Sequence, residues 1–306
     1  MTLGVMENLL YLVILLALGN ISRRVPAFPD NTPNVLNQFV IYISFPATVL
    51  LKINGIDIRA DLMILAMMPW MLVFLSIFFV RMISKSLNWD GRLTGAVMLA
   101  VALGNTSFFG FPVITAFFGE DSLGYAIIYD QLGTFIALAT FGTIVVSVYG
   151  SSQKVSCKAI LLKIIGFPPF IALVAGFLLM NVSFPEMLTT ILEGLSATLV
   201  PLVTFSVGAQ LKFRQPLSNI TPIFITIFLK MIISPLIVFL VLLFTGIHGQ
   251  VFQISVFEAA MPSMVMAGVL ASAGNLKAEV ANAAIGYGII FSFVTLPVFY
   301  YILINF

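Results

Sequence analysis

The chain has 306 residues, of which 60% are hydrophobic and only 8% charged, against roughly 25% charged residues in an ordinary soluble domain. So few charges cannot cover a soluble surface over that apolar mass, and the composition reads as a polytopic membrane protein. A net charge of +2 without a basic run excludes a nucleic-acid binder, a single cysteine excludes a disulfide scaffold, and the hydrophobicity excludes a disordered chain.

The first twenty residues are apolar, lack a basic leading segment and carry Glu7, so they read as a first span and not a signal peptide. A bilayer-crossing helix needs roughly 20 apolar residues. That window gives ten candidates: 3–21, 34–52, 61–81, 93–118, 122–149, 160–180, 188–210, 218–245, 252–273 and 279–304. The long runs without alternation exclude barrel strands, so the fold class is an all-α integral membrane protein. The loops after the odd-numbered spans hold Arg23, Arg24, Arg81, Lys85, Arg92, Lys154, Lys158, Lys163, Lys212, Arg214 and Lys277, eleven of the 14 basic residues. Those after the even-numbered spans hold Lys52 and Arg59. The bias places the odd loops in the cytoplasm of a multi-pass plasma (inner) membrane protein, with both termini outside.

At an offset of 155 residues the chain resembles itself: Pro46 meets Pro201, Gly119 meets Gly274 and Gly133 meets Gly288. The expected organisation is a five-helix repeat at 1–150, a cytoplasmic linker at 151–160 and a second five-helix repeat at 161–306. An odd number of spans per repeat inserts the two in opposite orientation, as in many secondary transporters.

Span four contains Gly104-Asn105-Thr106-Ser107-Phe108-Phe109-Gly110-Phe111-Pro112, and span nine contains Glu258-Ala259-Ala260-Met261-Pro262-Ser263-Met264. Pro112 has no N–H and disfavours helix at Phe111 before it; Pro262 acts likewise in span nine. Helices broken in a bilayer free backbone groups that lipid cannot satisfy, so such breaks lie inside protein or against a watery cavity. The half-helix beyond each break turns a partly positive N-terminus towards the site, a seat for a carboxylate. Lone prolines at 46, 69, 201, 235 and 297 read as kinks. Substrate-binding candidates are Asn105, Thr106, Ser107, Pro112, Pro262, Ser263 and Lys230.

Three ionisable residues fall within spans, at a cost of about 2.5–3.5 kcal/mol each near a helix centre. Lys230 either pairs with a carboxylate or attracts an anionic substrate. Asp130, beside Gln131, either accepts a coupling proton or anchors a helix. Glu258, nearer the rim than Pro262, reads as a cavity-mouth carboxylate or a coupling group. Glu7 and Glu193 sit near span ends and reach headgroup water. The sequence holds no zinc-protease, nucleophile-elbow or P-loop motif, and only one His, so an enzyme or nucleotide-driven pump is not expected. No cofactor or metal is called for; H⁺ and Na⁺ both remain as coupling ions, beside uniport.

The motif at 104–112, running to Gly119, resembles the fourth helix of the auxin efflux carrier family, which holds plant auxin carriers and bacterial malate or malonate permeases. Ala260-Met261-Pro262-Ser263-Met264-Val265, with Ala273-Gly274-Asn275 downstream, is similar to its ninth helix, and Leu229-Lys230 through Pro235 to its eighth. The resemblance implies helices four and nine crossing beside the substrate, Asn105 at the crossing with Pro112 and Pro262, and an elevator-like transport domain on a scaffold. The long central loop of the plant carriers is absent, so a microbial permease is expected. The function expected is a secondary transporter of a small organic anion working by alternating access, with a membrane sensor or channel as the alternative. The partners are that anion and the lipid bilayer; a homodimer is allowed.

Overall fold

The computed structural model describes residues 3–54, 56, 59–150, 156–180, 182–211 and 220–306. The expected linker falls outside these residues up to 155, as do Lys154, Lys212 and Arg214 of the basic loops. The described residues are helical throughout, with one isolated backbone bridge. In chain order the helices are α1 (Leu3–Ser22), α2 (Thr32–Asn54), α3 (Leu62–Ser86), α4 (Gly91–Ala102), α5 (Gly110–Phe118), α6 (Glu120–Tyr149), α7 (Cys157–Ile165), α8 (Pro168–Leu178), α9 (Glu186–Gln210), α10 (Ile220–Thr245), α11 (Gly249–Ala259), α12 (Val265–Ala273) and α13 (Ala278–Ile304). Among the described residues, α2, α3, α6, α9, α10 and α13 are each long and apolar enough to cross a bilayer. The pair α7 and α8, bent by 61° at Gly166-Phe167, makes a seventh if it is one span. That bend, ahead of Pro168 and Pro169, was not expected from the sequence. Large apolar side chains such as Phe74, Leu178 and Phe244 stand exposed, as lipid-facing residues do.

The chain divides into two compact units. The first comprises Met1–Arg59, Ser107–Ile127 and Leu162–Leu211. Within it α1 lies along α9 at backbone distance: a Cβ on Gly208 would run into the Leu16 carbonyl, and one on Gly19 into the Phe205 carbonyl. Small residues let helices approach this closely where lipid offers no hydrophobic drive. The α2–α9 contact is polar, with Ser44 bonded to Thr198 at 2.6 Å and Thr48 to Ser196 at 2.8 Å. Hydroxyl pairs of this kind contribute about 0.6 kcal/mol each in a membrane.

The second unit comprises Ala60–Thr106, Ile128–Leu161 and Lys212–Phe306. Its centre is α4, buried at every residue from Leu93 to Ala102 among α3, α12 and α13. A helix that is apolar on all sides needs such surroundings. Asp90 caps it, accepting from the Leu93 N–H at 2.7 Å and pairing with Lys277 at 3.0 Å. Both α6 and α10 open into wide π turns, at Tyr129–Thr134 and Leu229–Ile233. Each unit therefore draws segments from both halves of the sequence.

Candidate functional site

The breaks expected in spans four and nine are present. Helix α4 stops at Ala102 and α5 starts at Gly110; α11 stops at Ala259 and α12 starts at Val265. Gly, Asn, Thr and Ser favour non-helical backbone at the first break, and Pro262 cannot continue a helix at the second. In the second unit the two extended stretches pair with each other. The Asn105 N–H donates to the Pro262 carbonyl and the Met264 N–H to the Leu103 carbonyl, both at 2.8 Å, closing an antiparallel bridge between Gly104 and Ser263. Backbone groups freed by one break are thus satisfied by the other, which a hydrocarbon environment requires. Asn105, Thr106, Pro262 and Ser263 are all buried there, and the Asn105 side-chain nitrogen has no acceptor.

The intramembrane charges gather in this same unit. Lys230 is 1% exposed and sits in the π turn of α10 ahead of Pro235, which has no N–H to return to the preceding turn. Its ammonium donates to the Ala259 carbonyl at 2.8 Å. Ala259 ends α11, so that carbonyl is one of the unsatisfied acceptors at the negative end of a helix. Asp130 and Gln131 lie in the π turn of α6. Asp130 accepts from the Thr106 hydroxyl and, at 2.6 Å, from the Gln131 amide. Glu258 is 0% exposed, and neither of its carboxylate oxygens has a hydrogen-bond donor. It lies within electrostatic reach of both Asp130 and Lys230. The π turns at Tyr129–Thr134 and Leu229–Ile233 carry three of the polar residues singled out from the sequence.

Ser107 and Pro112 belong to the first unit. The Ser107 carbonyl accepts from the Phe111 N–H at 3.2 Å, and α5 begins two residues before Pro112. The break therefore precedes Pro112 instead of falling on it, and Phe111 is helical. Proline is tolerated there because an N–H in the first helical turn has no partner to lose. Pro112 lines a cavity of about 650 Å³ with Asn8, Tyr11, Thr48, Thr115 and Glu193. The Lys52–Glu120 ion pair, at 2.9 Å, stands on its wall.

With this geometry in view, the sequence comparisons decide the family. The sequence model described as membrane transport protein, the family of the auxin efflux carriers, matches residues 4–300. The chain belongs to the membrane transport protein family. It is 28% identical to an uncharacterized transporter of Methanothermobacter thermautotrophicus, over 96% of this chain and 97% of the relative. A second uncharacterized transporter, from Methanocaldococcus jannaschii, is 28% identical over 98% of this chain and 99% of its own length. A provisionally named malonate transporter of Rhizobium meliloti is 23% identical over 89% and 87%. The family and these relatives are membrane transporters and not enzymes, so a small-molecule substrate and a lipid environment follow.

Three features of this transporter were not read from its sequence. Gly104 makes room for the buried ammonium: a Cβ there would lie 2.9 Å from Lys230 Nζ. The glycine was visible in the motif, but its neighbour lies in another helix. The Thr106–Asp130 bond joins residues that no spacing relates. Glu258, which the sequence left as a cavity-mouth carboxylate or a coupling group, is buried outright one residue before α11 ends, placing it at the break.

Proposed function

We propose that the transporter is a secondary carrier for a small organic carboxylate of the malonate or malate class, working by alternating access. The observation that carries this reading is the buried Asn105 amide nitrogen without an acceptor, beside the paired breaks. A buried amide donor left unpaired costs about 1–3 kcal/mol, which a carboxylate oxygen would recover. Thr106 and Ser263 add polar groups along the same stretches, and Lys230 adds positive charge. The name of the Rhizobium meliloti relative supports the choice of acid.

The finer architecture belongs to this proposal. The chain crosses the plasma membrane ten times as two inverted five-helix repeats, and both termini lie outside. The unit holding Asn105 and Lys230 carries the site across the bilayer in an elevator-like step. Two copies pair as a homodimer.

Flux in proteoliposomes tests the function. Malonate, malate and an aromatic monocarboxylate are supplied in turn to the wild type, Asn105→Ala and Lys230→Ala. Saturable flux of one acid in the wild type, lost in both variants, is the expected result. Absence of flux for every acid with folded protein would overturn the carboxylate assignment; full flux in Lys230→Ala would remove Lys230 from the site.

A further inference from the structure

Resting on that reading, we propose that Glu258 is the site of the coupling proton and that the anion enters together with H⁺.

The contrast between the two buried acids carries the argument. Asp130 holds donors on both oxygens, from Thr106 and Gln131, which is how a buried carboxylate keeps its charge. Glu258 holds none on either oxygen at 0% exposure. An ionised carboxylate without donors is far too costly in a low-dielectric interior, whereas a carboxylic acid has no charge to desolvate. In this conformation Glu258 therefore carries its proton, and the charges of Lys230 and Asp130 cancel.

The proposed ion is a proton, which needs only the Glu258 carboxyl group itself. Lys230 already occupies the carbonyl of Ala259, the residue that follows Glu258. The charged and titratable groups that reach Glu258 are Asp130, Lys230 and the Tyr129 phenol. Of the helices packed on α11, the stretch of α10 after Lys230 carries no ionisable side chain. Helix α3 carries Arg81 and Lys85 towards its C-terminal end, and α13 carries Glu279 in its first turn with tyrosines at 287, 300 and 301.

Coupling follows from proximity. Glu258 stands four residues before Pro262, whose carbonyl holds the Asn105 N–H, and Thr106 bonds Asp130. With Glu258 ionised, the site would hold net negative charge and repel an anion. Protonation removes that charge, so anion and proton bind together. On release the Glu258 O–H bond breaks, the proton passes to water, and the net negative charge left on the site repels the departing anion.

The test has two arms on the intact protein in lipid. Infrared difference spectra at neutral pH should show the carbonyl stretch of a protonated carboxyl group, lost in Glu258→Gln and retained in Asp130→Asn. In vesicles loaded with a pH-sensitive dye, malonate uptake by the wild type should acidify the lumen. In Glu258→Gln the acidification per malonate taken up should fall to zero. A carboxyl band unchanged in Glu258→Gln, or lost only in Asp130→Asn, overturns the proposal; so does uptake driven by Na⁺ without acidification. If the wild type moves no carboxylate, the transport reading fails, and the infrared arm still decides whether Glu258 holds a proton.

Discussion

Gly104 is constrained by the side chain that lies beside it. The ammonium of Lys230 lies where a methyl group at 104 would press, and the displaced ammonium would leave the Ala259 carbonyl. Gly104→Ala should lower stability by about 1–3 kcal/mol, as overpacking does, and should reduce carboxylate flux. Gly194→Ala is the control: nothing lies within 4 Å of a Cβ there, and alanine suits a helix. It should leave flux unchanged and raise stability by about 0.5–1 kcal/mol. Thermal unfolding in detergent with flux in vesicles checks both. The two helix breaks were readable from sequence because broken helices need Gly, Asn, Thr, Ser and Pro in the same few positions. The partners of their residues were not. Thr106 finds Asp130, and Lys230 finds Ala259, across gaps in sequence that neither periodicity nor motif spacing describes.

Helix α4 depends on how it begins. Its first turn is capped by Asp90, and Arg92 and Lys277 tie that end to the chain after α12. The Leu93 N–H and the nearby Lys277 hold the Asp90 carboxyl below its ordinary pKa, against a smaller opposing effect of burial. A carboxyl lowered on folding stabilises above its unfolded value, and that contribution is lost as pH falls through the lowered one. Asp90→Ala should cost about 1 kcal/mol, whereas Asp90→Asn keeps a good cap and should cost less. Stability scans from neutral to acid pH should show the wild-type advantage over Asp90→Asn disappearing at the acid end. The helices themselves were largely legible, because long apolar runs leave few alternatives. The π turns of α6 and α10 and the bend between α7 and α8 were not. They follow from how a helix packs, and Pro168 and Pro235 signal only that something must give.

On the scale of the whole molecule, the distribution of basic residues predicts orientation. Eleven of the 14 lie in the odd-numbered loops of the ten-span reading, so the C-terminus should face outward. A C-terminal phosphatase fusion should be active and a fusion to a cytoplasm-dependent fluorophore dark; the reverse would overturn the ten-span topology. Composition made the membrane class plain, since 8% charge leaves no soluble alternative. The division into two units was less accessible, because each gathers segments from both halves and linear order hides that gathering. The bridge between Gly104 and Ser263 has a consequence for biogenesis. In the ten-span topology proposed above, when the ribosome has delivered only the first half, Leu103 and Asn105 reach the bilayer with their hydrogen-bonding partners still unmade. That nascent intermediate must shelter them with insertion machinery or trapped water until Pro262 and Met264 emerge. A chain truncated before α11 should accordingly be degraded by membrane quality control, and supplying the second half as a separate polypeptide should rescue it.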